Sequence, residues 1–251
     1  MIDLSDKVVL ITGGSRGIGA ACVRLFSKAG ANVAFTFKSD KDAAEEIITE
    51  INLPNKIVQY QLDLESELDI NQKVTQIVSD FGKIDILVNN AGIWKYGEAD
   101  KMNLKEWEET IKINLTGVFL ITKAVIPFMK KNRYGRIINI SSTAGQRGEA
   151  YHSHYAAAKG AVISFTKSLA VELADYNITT NAVAPGWVET DMSKDVFSDR
   201  DYKETVRRTI PVGRIAVPED IAGPVLFLAS DLSRYINGEI VNVNGGSILC
   251  G

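Results

Sequence analysis

The sequence is poor in the residues that bind metals and form disulfides. Its 251 residues include only two histidines and two cysteines. Cys22 and Cys250 lie far apart, and the chain contains neither a CxxC pair nor an HExxH motif. A metal site of the usual zinc kinds is therefore not expected. Two unpaired thiols are typical of a reducing compartment, so we expect a cytoplasmic protein without disulfides.

The sequence also lacks the charge and hydropathy patterns of membrane and nucleic-acid-binding proteins. The formal net charge is -3, and no basic stripe or polybasic run is present, so nucleic acid is not an expected partner. No uninterrupted apolar run approaches membrane-spanning length. The N-terminal segment MIDLSDKVVLITGG lacks the basic and apolar regions of a signal peptide. We therefore expect no membrane partner.

Short apolar runs alternate with longer helical stretches along the chain. The runs are continuous rather than alternating in polarity, as is typical of strands buried on both faces. This repetition predicts an α/β fold in a single domain over residues 1–251, with a doubly wound parallel sheet of about seven strands and helices on both faces. The predicted strands begin at residues 7, 32, 56, 84, 135, 178 and 239, and the predicted helices span 17–29, 41–52, 66–81, 103–131, 153–175 and 218–229.

A glycine-rich segment, TGGSRGIG, lies between the first strand and the first helix. Its glycines at 13, 17 and 19 permit a tight turn and let backbone N–H groups approach a pyrophosphate at a helix N-terminus. The spacing is not GxGxxG, and an ordinary glycine-rich turn would also fit the segment. Its position directly after the first strand favours dinucleotide binding.

Residues 151–160, YHSHYAAAKG, offer two candidate proton-transfer groups, the histidines and a tyrosine–lysine pair. On a helix, Tyr155 and Lys159 form an i,i+4 pair on one face. We expect the ammonium to lower the pKa of Tyr155 from its usual value of about 10. The tyrosine could then exchange a proton with a carbonyl or alcohol oxygen. Neither His152 nor His154 has a partner at metal-ligand spacing, so we expect catalysis to survive without either.

Together these motifs resemble the short-chain dehydrogenase/reductase family, and most of all its 3-oxoacyl-[acyl-carrier-protein] reductases. The glycine segment is similar to the family's TGxxxGxG cofactor loop, NNAG at 89–92 to its next signature, and PG at 185–186 to its nicotinamide-side turn. The resemblance covers essentially the whole chain. It implies a Rossmann-type fold, a homotetramer and catalytic roles for Asn114, Ser142, Tyr155 and Lys159.

The resemblance also implies the roles of these residues and their neighbours. Lys159 would hold the nicotinamide ribose, Ser142 would bind the substrate oxygen, and Asn114 would form a kink that holds water in a proton relay to Lys159. Alternatively, Asn114 is only a satisfied buried amide. Further cofactor contacts are implied at Gly13, Ser15, Arg16, Gly17, Ile18, Gly19, Lys38, Ser39, Asp63, Leu64, Asn90, Ala91, Gly92, Tyr155, Lys159, Pro185, Gly186, Val188 and Thr190.

The substrate side of the site is expected to be aromatic and polar. Substrate contacts are expected at Ser142, Tyr155, Trp94, Gln146, His152 and Trp187. The charge-rich segment around 189–211 is expected to form a lid over them, although a disordered connection would have a similar composition. Asp63, which the resemblance places beside the adenine, could instead be a plain helix cap.

The residues after the second strand predict NADP(H) rather than NAD(H). Phe37 occupies the position at which NAD-binding folds of this type carry an acid for the ribose hydroxyls. Arg16, Lys38 and Ser39 could surround a 2′-phosphate instead. The alternative is that both cations are solvated and that Asp40 reaches back to the ribose.

The sequence therefore predicts an NADPH-dependent carbonyl reductase with a small-molecule carbonyl or alcohol substrate. A sugar or polyol alcohol dehydrogenase and a dinucleotide-sensing protein without turnover are the alternatives. Carrier-linked reductases dock an acidic carrier on two basic positions, which here are Arg133 and the non-basic Tyr176. We therefore expect weak or no preference for carrier-linked substrates, and Arg133 could simply be a cation at a helix C-terminus.

Overall fold

The computed structural model describes residues 2–249, and these contain seven strands: β1 (Val8–Ile11), β2 (Asn32–Phe37), β3 (Ile57–Gln61), β4 (Ile86–Asn89), β5 (Gly135–Ile140), β6 (Ile178–Pro185) and β7 (Ile240–Val243). They form one sheet in the order β3-β2-β1-β4-β5-β6-β7, and each strand is parallel to its neighbours. The predicted doubly wound parallel sheet is therefore confirmed. Because the winding reverses between β1 and β4, a ligand crevice is expected at their carboxyl ends.

The helices connect the strands in the predicted alternation, with three differences from the sequence-based expectation, the first of which is a short additional helix over Thr143–Arg147. They are α1 (Gly17–Lys28), α2 (Lys41–Glu50), α3 (Glu67–Phe81), α4 (Leu104–Ile111), α5 (Gly117–Asn132), α6 (Thr143–Arg147), α7 (Ser153–Glu172), α8 (Asp191–Phe197), α9 (Arg200–Arg208) and α10 (Pro218–Ala229). The helix expected over 103–131 is divided by a π-helical turn, Lys112–Thr116. The segment expected to be a polar lid contains two helices, α8 and α9.

Both faces of the sheet are covered, which explains the continuous apolar runs of the strands. Within β1, Val9 and Ile11 pack with residues of α1 and α10, whereas Leu10 packs with residues of α3 and α5 on the other face. Successive side chains of a strand point to opposite faces, so a strand covered on both sides needs apolar residues at every position. The loops at the carboxyl ends of the strands, where the site lies, contribute its polar side chains.

One helical stretch, Leu104–Asn132, is long and apolar enough by length and composition to cross a membrane, with a mean hydropathy of 1.5. Charged residues such as Lys123 interrupt it, in keeping with the absence of an uninterrupted apolar run in the sequence. Ile121, Val125 and Met129 lie in the core beneath the sheet. Helices that cover the core of a globular domain have this same composition, so the stretch is not by itself an indication of a membrane.

The described residues contain one cysteine, Cys22, and it is a free thiol buried in α1. Burial raises its pKa to about 12, so it is an inert core residue. The second thiol expected from the sequence, Cys250, lies outside the described residues. Within residues 2–249, no group of three or more histidine, cysteine, aspartate or glutamate side chains is arranged to hold a metal ion.

Candidate active site

A cleft of about 560 Å³ opens at the carboxyl ends of the central strands, where the winding of the sheet reverses. Loops that follow β1 to β6 line it, so it collects residues that are far apart in sequence. Most of the residues expected from the sequence are among its lining: Gly13, Ser15, Arg16, Gly17, Ile18, Lys38, Ser39, Asp63, Leu64, Asn90, Ala91, Gly92, Trp94, Ser142, Tyr155, Lys159, Pro185, Gly186, Trp187, Val188 and Thr190. Gly19, Asn114, Gln146 and His152 are not.

The glycine loop is shaped to bring backbone N–H groups to the cleft. Gly13 and Gly17 have φ values of 66° and 54°, a left-handed conformation that favours glycine. The first turn of α1 receives no side-chain cap and contains no acidic residue, so its N–H groups can bind an anion. Gly19 is buried, and a Cβ there would overlap the carbonyl oxygen of Gly13. Gly19 therefore supports the loop rather than lining the cleft as expected.

The loop after β4 is tied to the glycine loop. The Oγ1 of Thr12 accepts hydrogen bonds from the backbone N–H groups of Asn90 and Ala91, both at 3.0 Å. The Nδ2 of Asn90 donates to the carbonyl oxygens of Thr12, at 2.9 Å, and of Gly13, at 3.1 Å. These bonds hold the glycine loop and the loop after β4 at a fixed distance from each other.

Asn114 lies in the π-helical turn between α4 and α5 and is completely buried. Its Nδ2 donates to the carbonyl oxygen of Ile93, and its Oδ1 accepts from the N–H of Ile93, both at 2.9 Å. The kink expected at this position is therefore present, and each polar atom of the amide has one backbone partner. π-Helical turns inside helices are common at functional sites because they widen the turn and leave backbone groups without intrahelical partners.

The catalytic candidates from β5 and α7 meet in the cleft. The hydroxyl of Ser142 forms a hydrogen bond with the phenol of Tyr155. The Nζ of Lys159 donates to the carbonyl oxygen of Ile140 at 2.7 Å and lies 5.7 Å from the centre of the Tyr155 ring. The neighbouring Ser141 points to the other side, as expected, and donates to the carbonyl oxygen of Lys159 at 2.9 Å.

The ionisation of this pair differs from the expectation for Tyr155. Burial raises the pKa of Tyr155 to about 12, against the opposing effect of its hydrogen bond with Ser142, and the charge of Glu149 raises the pKa further. Burial also lowers the pKa of Lys159 to about 8. The pKa of Tyr155 is therefore raised rather than lowered as expected, because desolvation of the phenolate is the largest effect and the ammonium donates to the Ile140 carbonyl instead.

Aromatic residues form the wall of the cleft next to Tyr155. Trp94 stacks on His152, with ring centroids 4.1 Å apart and planes 3° apart, and meets Trp187 edge-on at 5.8 Å. The Nε1 of Trp94 donates to a carboxylate oxygen of Glu149 at 3.3 Å. Trp94 and Trp187 line the cleft as expected, but His152 lies behind Trp94, which separates it from the cavity. Instead of contacting substrate as expected, His152 supports the indole of Trp94 from behind.

Two further residues are placed differently from the expectation or away from the chemistry. The Nε2 of Gln146 donates to the Oδ1 of Asn242 at 2.6 Å, and this contact with β7 directs Gln146 away from the cavity. His154 is buried at the start of α7, and burial lowers its pKa below the usual histidine range. Neither histidine lines the cleft.

The segment expected to be a lid contributes a small folded unit. Trp187 packs against Phe197 and Tyr202 with ring centroids 5.3 Å and 6.4 Å apart. Val206 and Ile210 of this segment form a separate apolar cluster with Ile215, and Trp187 and Phe197 pack against it. The segment is therefore ordered by packing rather than being a polar connection, and its residues Asp191, Met192 and Ser193 also line the cleft.

The opposite end of the cleft carries the charges expected near a 2′-phosphate. Phe37 is buried, so no acid occupies that position of β2. The carboxylate of Asp40 accepts the N–H of Ala43 at 3.1 Å as the N-cap of α2, which opposes the alternative in which it binds a ribose. Arg16 is exposed, whereas Lys38 is paired with the carboxylates that follow β3. Asp63 is not the cap of α3, because Ser66 caps it.

The sequence did not indicate Glu149, a charged residue beside Trp94 and Tyr155. Glu149 lines the cleft, binds Trp94 and acts electrostatically on Tyr155. It lies six residues before Tyr155 in the loop after α6, and no motif marks it. Only the turn of that loop, where Gly148 has a φ of 78°, brings its side chain to the cavity.

Comparisons with known proteins agree with this geometry. A family model described as Enoyl-(Acyl carrier protein) reductase matches residues 13–247. The 3-oxoacyl-[acyl-carrier-protein] reductase FabG of Aquifex aeolicus is 45% identical over 248 residues, 98% of each chain, and that of Escherichia coli is 41% identical over 245 residues, also 98% of each chain.

Solved structures are similar over nearly the whole chain. A protein of Beutenbergia cavernae assigned as an NAD(P) dependent gluconate 5-dehydrogenase, with bound NADP at low occupancy, is 31% identical with a TM-score of 0.91 over 98% of both chains. A short-chain dehydrogenase/reductase of the glucose/ribitol dehydrogenase type from Brucella melitensis is 31% identical with a TM-score of 0.92 over 99% of both chains. This chain therefore belongs to the short-chain dehydrogenase/reductase family and is an oxidoreductase that acts on carbonyl and CH–OH groups.

Proposed function

We propose that the protein reduces a ketone with NADPH, that 3-oxoacyl compounds are its substrate class, and that it also catalyses the reverse oxidation of the alcohol. The observation that carries the proposal is the meeting of Ser142, Tyr155 and Lys159 in the same cleft as the glycine loop. The relatives named 3-oxoacyl-[acyl-carrier-protein] reductases support the substrate class, and the similar structure with bound NADP supports the cofactor.

The residues of the cleft fit a dinucleotide. The uncapped first turn of α1 and the left-handed glycines offer N–H groups for a pyrophosphate. Arg16, Lys38 and Ser39 would bind the 2′-phosphate, since the acid of NAD-binding proteins is replaced by Phe37. The remaining contacts proposed for the cofactor, all in the lining, are Asp63, Leu64, Asn90, Ala91, Gly92, Pro185, Gly186, Val188 and Thr190.

The side chains around Tyr155 are suited to moving a proton to a carbonyl oxygen. The nicotinamide, when bound, supplies a hydride to the carbonyl carbon. Ser142 would donate a hydrogen bond to the carbonyl oxygen, and Tyr155 would give that oxygen its phenolic proton, which completes the alcohol. Lys159 would hold the nicotinamide ribose and stabilise the tyrosinate by its charge. Asn114 would complete the relay to Lys159 through water held at its π-helical turn.

A sugar or polyol substrate is the second candidate, and the aromatic wall favours it. Trp94 and Trp187 present ring surfaces, and Glu149 presents a carboxylate that can accept a hydroxyl hydrogen bond. Aromatic surfaces beside a hydrogen-bond acceptor suit a small hydroxylated substrate better than a long acyl chain. The two candidates share the same proton-transfer residues and differ only in what this wall contacts.

A substrate panel followed by nicotinamide absorbance tests the proposal. The panel contains 3-oxoacyl thioesters, free and carrier-linked, together with polyols, steroids and small ketones, each with NADPH or NADP⁺. We expect turnover with NADPH, and the ranking of kcat/KM identifies the substrate class. Binding of NADPH without turnover of any member would overturn the catalytic assignment in favour of a dinucleotide sensor.

We also propose a cytoplasmic homotetramer, as the resemblance to the family implies. Large apolar side chains exposed in the isolated chain support assembly, among them Phe119, Val171 and the fully exposed Tyr235. Light scattering coupled to size exclusion measures the mass directly. A monomer of 27.4 kDa at micromolar concentration would contradict this part of the proposal.

A further inference from the structure

The residue that engages Lys38 most closely is Glu65, which lies outside the lining of the cleft. β2 and β3 are parallel neighbours with Phe37 opposite Gln61, so the residues that follow the two strands meet at one edge of the sheet. There the Nζ of Lys38 lies 2.6 Å from Oε1 of Glu65 and 3.3 Å from Oδ2 of Asp63. The cation proposed for a 2′-phosphate is therefore already paired with two carboxylates.

Glu65 is held in place on its other side. Its second carboxylate oxygen lies 3.5 Å from the Nζ of Lys112, and its backbone N–H donates to the carboxylate of Asp63 at 3.0 Å. Its side chain is 26% exposed, whereas those of Lys38 and Asp63 are 57% and 44% exposed. The contact with Glu65 is the largest cause of a raised pKa at Lys38. Glu65 is thus the closer and the less exposed of the two carboxylates next to this lysine.

Arg16 provides the contrast at the same end of the cleft. It also lines the cavity, and within residues 2–249 its guanidinium has neither an ion pair nor a side-chain hydrogen bond. A phosphate could bind Arg16 without breaking any ion pair, whereas binding to Lys38 would weaken its ion pair with Glu65. The two cations, which look equivalent in the sequence, therefore differ in what their binding to a phosphate costs.

We propose that Glu65 is a positioning residue that competes with the 2′-phosphate for Lys38 and so limits the preference for NADP(H) over NAD(H). This inference rests on the proposed use of NADP(H). A 2′-hydroxyl carries no charge and does not need Lys38 to leave its partners. For a phosphate, by contrast, Glu65 offsets part of the attraction from the lysine charge, and its carboxylate also repels the phosphate. Glu65 consequently affects one cofactor and leaves the other nearly unchanged.

Glu65→Gln tests the proposal, since it keeps the size of the side chain and removes its charge. The dissociation constants of NADP⁺ and NAD⁺ are measured by calorimetry on the purified protein at low ionic strength. We expect NADP⁺ to bind about three- to tenfold more tightly in the variant, in keeping with one partly exposed ion pair, and NAD⁺ to stay within about twofold. A merely structural effect would change both constants together.

Two controls complete the experiment. Glu67→Gln removes the same charge from a carboxylate that pairs with Lys123 at 2.9 Å instead, so it reports the effect of net charge alone, and both constants should remain unchanged. Lys38→Ala in the Glu65→Gln background should abolish the gain, as a double-mutant cycle requires for a coupled pair.

The outcomes separate the two proposals. If the wild type fails to bind NADP⁺, the proposed cofactor is wrong. If it binds NADP⁺ but Glu65→Gln leaves the NADP⁺/NAD⁺ ratio within twofold of the wild type, the competition is refuted. It is equally refuted if Glu67→Gln reproduces the gain or if the gain persists without Lys38.

Discussion

Replacement of Lys159 by methionine is predicted to stabilise the fold while it abolishes turnover. Methionine keeps the length of the buried side chain and removes its charge. Lys159 is only 4% exposed, and this burial lowers its pKa from 10.5 to about 8. At about 1.4 kcal/mol per pKa unit, this shift corresponds to a destabilisation of about 3 kcal/mol by the buried ammonium at pH 7.

Part of this gain is offset by what the substitution removes. The ammonium donates to the carbonyl oxygen of Ile140 at 2.7 Å, and a hydrogen bond from a charged group contributes about 1.5 to 3 kcal/mol. The net stabilisation is therefore about 0 to 1.5 kcal/mol. At roughly 2 to 4 °C per kcal/mol for a chain of this size, the Tm rises by up to about 6 °C.

The pH dependence gives the sharper test. The folded pKa of Lys159 is lower than the unfolded one, so the unfolded state binds more protons between about pH 8 and pH 10.5. The wild type should therefore gain stability relative to Lys159→Met as the pH rises through this window, because its own lysine then becomes neutral. Below about pH 8 the difference should be constant.

Calorimetric unfolding of both proteins from pH 7 to pH 10 measures this difference. Lys167→Met serves as the matched control, because Lys167 lies on an exposed part of the same helix and its removal should change the Tm by no more than a degree or two. A clearly lower Tm for Lys159→Met at pH 7, or a difference that does not change between pH 8 and pH 10, would refute the desolvation argument.

Three further predictions concern the chemistry and the substrate. Tyr155→Phe should fold and bind cofactor yet lose about 10³-fold or more in kcat, because it lacks the hydroxyl that transfers the proton. His154→Ala should keep kcat/KM within about tenfold of the wild type. If His154→Ala were as inactive as Tyr155→Phe, the assignment of proton transfer to Tyr155 rather than to a histidine would be wrong. Glu149→Gln should lower the pKa of Tyr155, because it removes an anion that raises that pKa. The pH–rate profile of alcohol oxidation should therefore move to lower pH. A profile that does not move would show that the charge of Glu149 does not act on the phenol. Carrier-linked and free 3-oxoacyl substrates should give similar kcat/KM, since the guanidinium of Arg133 is bound to the carbonyl oxygen of Asp175 at 2.8 Å and Tyr176 is not basic; a carrier-linked substrate preferred by a hundredfold, with the preference lost in Arg133→Ala, would contradict this.

The strands and the cofactor loop could be predicted from sequence because their causes are local. A strand buried on both faces needs mainly apolar residues, and β1, with the sequence VVLI, meets this requirement at every position. Gly13 and Gly17 adopt conformations that favour glycine, so the residue type itself indicates the turn. The resemblance to the family implies the catalytic set, and Ser142, Tyr155 and Lys159 do line the cleft, whereas the side chain of Asn114 faces Ile93.

The packing of side chains could not be predicted in the same way. Gln146 lies in α6 and His152 directly precedes α7, but Asn242 of a distant strand binds the first, and the ring of Trp94 covers the second. Similarly, the charge-rich composition of the lid segment concealed a small apolar cluster around Val206 and Ile210. For Gln146 and His152 the decisive partner is far away in the sequence, so no window of neighbouring residues contains it.

The pKa of Tyr155 shows why a correct motif is still an incomplete description of a site. The i,i+4 spacing with Lys159 is correct, yet the spacing says nothing about solvent, and desolvation is the largest effect on both groups. A neutral phenol and a lysine with a pKa of about 8 are suited to donating a proton to a carbonyl oxygen, since the tyrosine keeps its proton until a substrate oxygen needs it.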